Sequence, residues 1–148
     1  MKRLIMVSYG HLDSQSRLFG ATANEYESLL EVLRQYTTDG SVGVFTSTSS
    51  GAKDHAVILS QAFNVECKAH EVLDTRGSKF FTKKIEERFL YLPDIVIALT
   101  HRGFISEYLQ NFTIKKLNVE FPKDLAGKCR ACVIDSTHKI YRSITLIF

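Results

Sequence analysis

The chain has 148 residues, 45% of them hydrophobic and 24% charged. That length and balance build one compact domain, residues 1–148, and exclude a disordered or fibrous protein. Lys plus Arg number 19 against 16 Asp plus Glu, a formal charge of +3. The basic residues are scattered and not gathered into a run, so charge nominates neither nucleic acid nor a membrane surface as a partner.

Leu4-Ile5-Met6-Val7 is a continuous apolar run ended by Tyr9-Gly10, the pattern of a strand buried on both faces. With Met1-Lys2-Arg3 before it, the run mimics the start of a secretory signal. Ser8-Tyr9-Gly10-His11 cuts it short and no small-residue cleavage site follows, so a cytoplasmic protein is expected. From Asn24 to about Tyr36, the residues Tyr26, Leu29, Leu30, Leu33 and Tyr36 form an amphipathic helical stripe that Thr22 or Asn24 could cap. Val42–Phe45 predicts a second strand. Thr46-Ser47-Thr48-Ser49-Ser50-Gly51 then leads into a helix carrying Ala52, Ala56, Ile58, Leu59 and Phe63.

Val65–Ala69 alternates weakly, as a third strand would, and Phe81, Ile85, Phe89 and Leu92 give another helical stripe ended by Pro93. Ile95–Leu99 is the most apolar strand and the longest strongly apolar stretch, far short of the ~20 residues a membrane helix needs. A helix with Phe104, Ile105, Tyr108, Leu109 and Phe112 follows. Cys132-Val133-Ile134 and Ile140–Phe148 predict a closing antiparallel pair around Ser136-Thr137-His138. Strands alternating with helices imply an α/β fold, three layers with a mainly parallel central sheet.

In such sheets ligands bind beyond the carboxyl ends of the strands, which directs attention to residues 8–13, 46–53 and 100–103. The hydroxyl-rich loop before the second helix offers free N–H groups and hydroxyls to an anion at Ser50 and Gly51, with Lys53 adding charge. The plainer alternative is that Ser49 or Ser50 only caps the helix. His101 and Arg102, after the most apolar strand, could face the same anion.

These segments share a family resemblance. Leu4-Ile5-Met6-Val7-Ser8-Tyr9-Gly10-His11 resembles the opening L-I-L-V-R-H-G-E of the histidine phosphatase superfamily, which includes phosphoglycerate mutase-like proteins and phosphohistidine phosphatases. Residues Phe45 to Ala56 resemble its F-S-S-P-L-S-R-A-R-Q-T-A, and Asp94 to Ile105 resemble its V-L-V-V-T-H-G-G-V-I. The Arg17–Gly20 stretch is similar to the R-F-x-G loop after the first motif. The resemblance implies a phosphoglycerate mutase-like fold and a site that handles phosphoryl groups. It also implies that catalysis is impaired, because Tyr9 stands at the position of the nucleophilic His, and Ser8 and Gly51 stand at those of two phosphate-binding arginines. Only the second His is kept, as His101.

Tyr9 is a weak substitute nucleophile, since a phenol with a pKa of ~10 stays protonated at neutral pH. Each lost charged donor removes on the order of 3 kcal/mol of transition-state stabilisation. The expected function is therefore binding of phosphate, a phosphorylated small molecule or a phosphoprotein, in a binding or regulatory role. Ser8, Gly10, Arg17, Ser50, Gly51, Lys53 and Arg102 are the candidate ligands, with Tyr9, His11 and His101 at the former catalytic positions. The alternative is an active phosphoesterase or phosphotransferase with relocated chemistry on His101 or His11.

The acid that the resemblance places after the third strand could be Glu71 or Asp74, although both also fit solvated carboxylates flanking a turn. Cys129 and Cys132 form a lone C-x-x-C without a second pair for zinc, and with Cys67 make an odd count that suits free thiols in a reducing compartment. No metal or cofactor is expected. The aromatic residues, Phe80, Phe81 and Phe104 among them, fall on helical stripes and read as core. A flavodoxin-like protein is the structural alternative, but its phosphate loop would follow the first strand, whereas here the hydroxyl-rich loop follows the second.

Overall fold

The computed structural model describes residues 3–8, 20–48, 50–74, 93–100, 102–112, 130–137 and 140–147. Among them the elements run β1 (Arg3–Ser8), α1 (Gly20–Arg34), β2 (Val42–Thr46), α2 (Ser50–Phe63), β3 (Cys67–Ala69), a 3₁₀ turn (Glu71–Leu73), β4 (Ile95–Thr100), α3 (Arg102–Phe112), β5 (Ala131–Thr137) and β6 (Ile140–Ile147). The helix predicted over Phe81–Leu92 lies outside the described residues.

The strands form one sheet in the order β3-β2-β4-β1-β5-β6. β3, β2, β4 and β1 are mutually parallel, while β5 and β6 close the sheet antiparallel. β4 inserts between β1 and β2 and is covered on both faces, which is why all six of its residues are buried and why its sequence does not alternate. β1 has the same cause for its continuous apolar run.

Side chains alternate across the sheet. Leu4, Met6, Val96, Ala98, Cys132 and Ile134 pack with Phe104, Ile105, Tyr108 and Leu109 of α3. Ile5, Val7, Val44, Ile97 and Leu99 pack with Leu29, Leu30 and Leu33 of α1 and Ala52, Ala56 and Leu59 of α2. The result is the three-layer α/β/α arrangement with a mainly parallel sheet that the periodicity implies. Phe104 is core, as expected.

Some boundaries differ from the expectation. α1 begins at Gly20, so Thr22 and Asn24 are inside its first turns and do not cap it; Ala21 and Ala23 are strong helix formers that extend the helix upstream. β3 begins at Cys67 and not Val65, because Val65 is used to end α2. Asn64 takes φ 51°, the Val65 N–H donates to the Ser60 carbonyl at 3.1 Å, and the Asn64 N–H donates to the Gln61 carbonyl at 3.4 Å. This is a Schellman cap with asparagine in the left-handed position. β5 begins at Ala131, leaving Cys129 outside the described residues, while Cys132 is buried in the core. No helix among the described residues is long and apolar enough to cross a membrane.

Arg3 fastens the amino end of β1. Its Nε donates to Asp135 of β5 at 2.5 Å, and its Nη1 donates to the Tyr36 carbonyl at 2.6 Å and to Asp39 at 2.9 Å. This end of the sheet is opposite the edge at which ligands bind in such folds.

Candidate functional site

Parallel pairing brings three connections to one edge. Ser8 stands opposite Thr100 in the β1–β4 register, and Thr46 stands opposite Leu99 in the β2–β4 register. The chain therefore leaves the carboxyl ends of three neighbouring strands at residues 9, 47 and 101. α2 begins at Ser50 and α3 at Arg102, so both connections are short enough that the helix N-termini start at this same edge. Unpaired N–H groups and the positive end of each helix dipole accumulate there.

Ser50 and Gly51 are the first two residues of α2, and Lys53 also lies in its first turn. Arg102 is the first residue of α3. Tyr9, Gly10, His11, Arg17 and His101 lie outside the described residues. Ser8 ends β1, and it is tied to the strand on the other side: its N–H donates to the Arg130 carbonyl at 2.8 Å and its hydroxyl donates to the same oxygen at 3.1 Å. To serve an anion, Ser8 would have to turn this proton away from Arg130.

The end of β2, inside the hydroxyl-rich segment 46–53 that the sequence marks, holds buried polar groups. Thr46 is 4% exposed and Ser47 is fully buried. Thr46 shares a sheet face with Val44, the face that α2 covers. Among the described residues its Oγ1 is buried without a hydrogen-bond partner, an arrangement that costs stability unless a further group satisfies it. His55, in the second turn of α2, is also fully buried. Its spacing from Ala52, Ala56 and Leu59 was the available signal, since these positions share one helix face.

In the turn after β3, Asp74 is half-buried and is engaged with Thr48, which is exposed. The Thr48 N–H donates to Asp74 Oδ1 at 2.9 Å and the Thr48 hydroxyl to Asp74 Oδ2 at 2.6 Å. The carboxylate is thus engaged with the connection that leads into α2, 26 residues earlier. Glu71 is exposed, as expected of a turn carboxylate. The His70 N–H donates to the Thr46 carbonyl at 2.8 Å, and the Thr100 hydroxyl donates to the Leu73 carbonyl at 2.6 Å. Among the described residues no group of three or more His, Cys, Asp and Glu could hold a metal ion.

No protein-family model and no curated protein matches the chain. Solved structures match it over nearly its whole length. SixA from Agrobacterium tumefaciens, assigned as a phosphohistidine phosphatase, superposes with a TM-score of 0.66 at 14% identity, covering 99% of this chain and 97% of that one. The fold is that of the histidine phosphatases. Phosphoglycerate mutase from Plasmodium falciparum aligns with a TM-score of 0.65 at 17% identity, covering 99% of this chain and 89% of its own. A mycobacterial glucosyl-3-phosphoglycerate phosphatase, solved in complex with VO3, aligns with a TM-score of 0.61 at 15% identity, covering 99% and 98%. The histidine phosphatase fold thus extends over the whole resemblance drawn from the three motifs, and the flavodoxin-like alternative is set aside.

Proposed function

We propose that this chain is a catalytically impaired histidine phosphatase-like protein that binds an anion or a phosphorylated ligand, in a binding or regulatory role. The observation that carries the reading is the buried, unpartnered hydroxyl of Thr46, four residues before the start of α2. It supplies a donor that an anion at this helix end would satisfy. Around it, Ser50 and Gly51 offer backbone N–H groups, Lys53 and Arg102 offer charge, and His101 keeps the family's second imidazole. Ser8, Gly10 and Arg17 complete the proposed ligand set from the β1 side.

Impaired turnover follows from residue identity. Tyr9 in place of the nucleophilic imidazole, and Ser8 and Gly51 in place of two guanidiniums, remove the attacking group and the fixed positive charges that a transferring phosphoryl group requires. The proteins sharing the fold are named for phosphorylated substrates, glucosyl-3-phosphoglycerate and phosphoglycerate among them, and one is also solved with inorganic phosphate. A phosphorylated small molecule or phosphoprotein is the ligand class these names favour.

The test measures hydrolysis of an aryl phosphate by the wild type, by H101A, and by the triple variant S8R/Y9H/G51R, whose melting curve establishes that it folds. The reading expects an inactive wild type, a melting temperature that rises with inorganic phosphate, and His-dependent turnover in the folded triple variant. A wild type that turns over, and loses activity in H101A, would instead establish relocated chemistry.

A further inference from the structure

The segment from His70 to Asp74 touches both connections of the proposed anion site. On the β2 side, the His70 N–H donates to the Thr46 carbonyl, and Asp74 receives both donors of Thr48. On the β4 side, Thr100 donates its hydroxyl to the Leu73 carbonyl at 2.6 Å. Thr100 is the residue immediately before His101, and Arg102 then opens α3. The two connections are also joined directly, because the Ser47 N–H donates to the Leu99 carbonyl at 3.0 Å. Leu73 is 1% exposed and packs in the α3-side core, so the segment is anchored from beneath.

We infer that Asp74 is a positioning residue: its carboxylate braces Thr48 and so holds the connection into α2 in the shape that receives an anion. The inference rests on the anion-binding reading above. Its chemistry is a two-point clamp. One carboxylate oxygen accepts the N–H and the other accepts the hydroxyl of the same residue, which fixes both the backbone and the side chain of Thr48. The N–H that Asp74 takes is one that the first turn of α2 does not need, because it lies upstream of the helix.

The experiment is an NMR titration of the full chain with inorganic phosphate, reading the affinity separately from the melting temperature, in the wild type, D74A, D74N, T48V and T48S. D74A is expected to weaken phosphate binding about ten-fold, equivalent to about 1.4 kcal/mol. T48V, which loses only the hydroxyl, falls between, and T48S, which keeps both donors, restores wild-type affinity. The double variant D74A/T48V binds no more weakly than D74A, because both changes break one clamp. If D74A does not fold, D74N and T48V, which preserve volume, carry the same comparison. A wild type that ignores phosphate overturns the anion site and the brace together. A wild type that binds phosphate while D74A binds equally well or more tightly overturns the brace alone.

Discussion

Thr100, the last residue of the innermost strand, donates its hydroxyl to the carbonyl of Leu73 at 2.6 Å, and both residues are buried. The bond joins segments 27 residues apart, and it lies one residue before His101. It locks the carboxyl end of β4 to the turn that also holds Thr48.

Thr100→Val keeps the shape and removes the donor, leaving the buried Leu73 carbonyl without it. The expected cost is about 1–3 kcal/mol, read as a lower midpoint in a urea denaturation. Thr100→Ser retains the donor and should recover part of the loss.

The left-handed Asn64 gives a prediction of opposite sign for two substitutions. At φ 51°, Asn64→Gly removes the side-chain strain and should leave stability unchanged or raised, whereas Asn64→Ala should lose about 1 kcal/mol. Paired thermal melts decide it; equal melting temperatures for the two variants would contradict the Schellman assignment.

Arg3 is a fastening whose two carboxylate partners should not count equally. Its side chain is 18% exposed, with Asp135 at 31% and Asp39 at 60%. Burial pulls the guanidinium pKa down, but the hydrogen bond and charge of Asp135, with help from Asp39, outweigh it and the net shift is upward. A raised pKa means the contribution is complete throughout the neutral range and is lost only as pH rises into arginine's own titration range. Arg3→Met should cost about 1–3 kcal/mol and Asp135→Asn a comparable part of that, while Asp39→Asn stays within about 0.5 kcal/mol because an exposed partner is screened. Chemical denaturation of the three variants ranks them.

Gly43 is required by a close approach. A Cβ there would lie 2.5 Å from Cγ of Pro93, just before β4. Gly43→Ala should therefore destabilise by about 1–3 kcal/mol through overpacking. Adding Pro93→Ala should return part of it, a non-additivity that a double-mutant cycle measures.

Burial pushes the Cys67 thiol above its usual range. The folded chain then resists ionisation more than the unfolded chain does, so this contribution is present below the ordinary thiol range, ~8.5, and is lost as pH rises through it and the raised folded value. Alkylation of the Cys67 peptide at pH 8, followed by mass spectrometry, should be slower in the folded protein than in urea. Equal rates would contradict the shift.

The fold was legible where local pattern and burial agree. Leu4–Val7 and Ile95–Leu99 lack alternation because each strand is covered on both faces, and Leu29, Leu30 and Leu33 repeat at helical spacing because one face of α1 meets the sheet. The three connections of the candidate site were legible for the same reason, since each follows a strand whose end the apolar pattern marks. The role of Asp74 was not. A carboxylate in a turn carries the same local signal whether it faces water or clamps Thr48, and only the packing of the segment after β3 against the end of β2 separates the two. His55 was hidden similarly, as a polar residue on an apolar helix face.

Sequence alone determined the alternation of strands and helices, the apolar runs of β1 and β4 that lack alternation, and the likeness of three segments to one superfamily. Tertiary structure decided which strands are neighbours, with β4 inserted between β1 and β2, and therefore that Ser8, Thr46 and Thr100 end at one edge. It also decided that Asp74 is spent on Thr48 while Thr46 keeps a buried donor unpaired. Periodicity records which face of an element is apolar, but pairing between segments distant in the chain depends on which contacts bury those faces and satisfy their polar groups together, and no local window contains that choice.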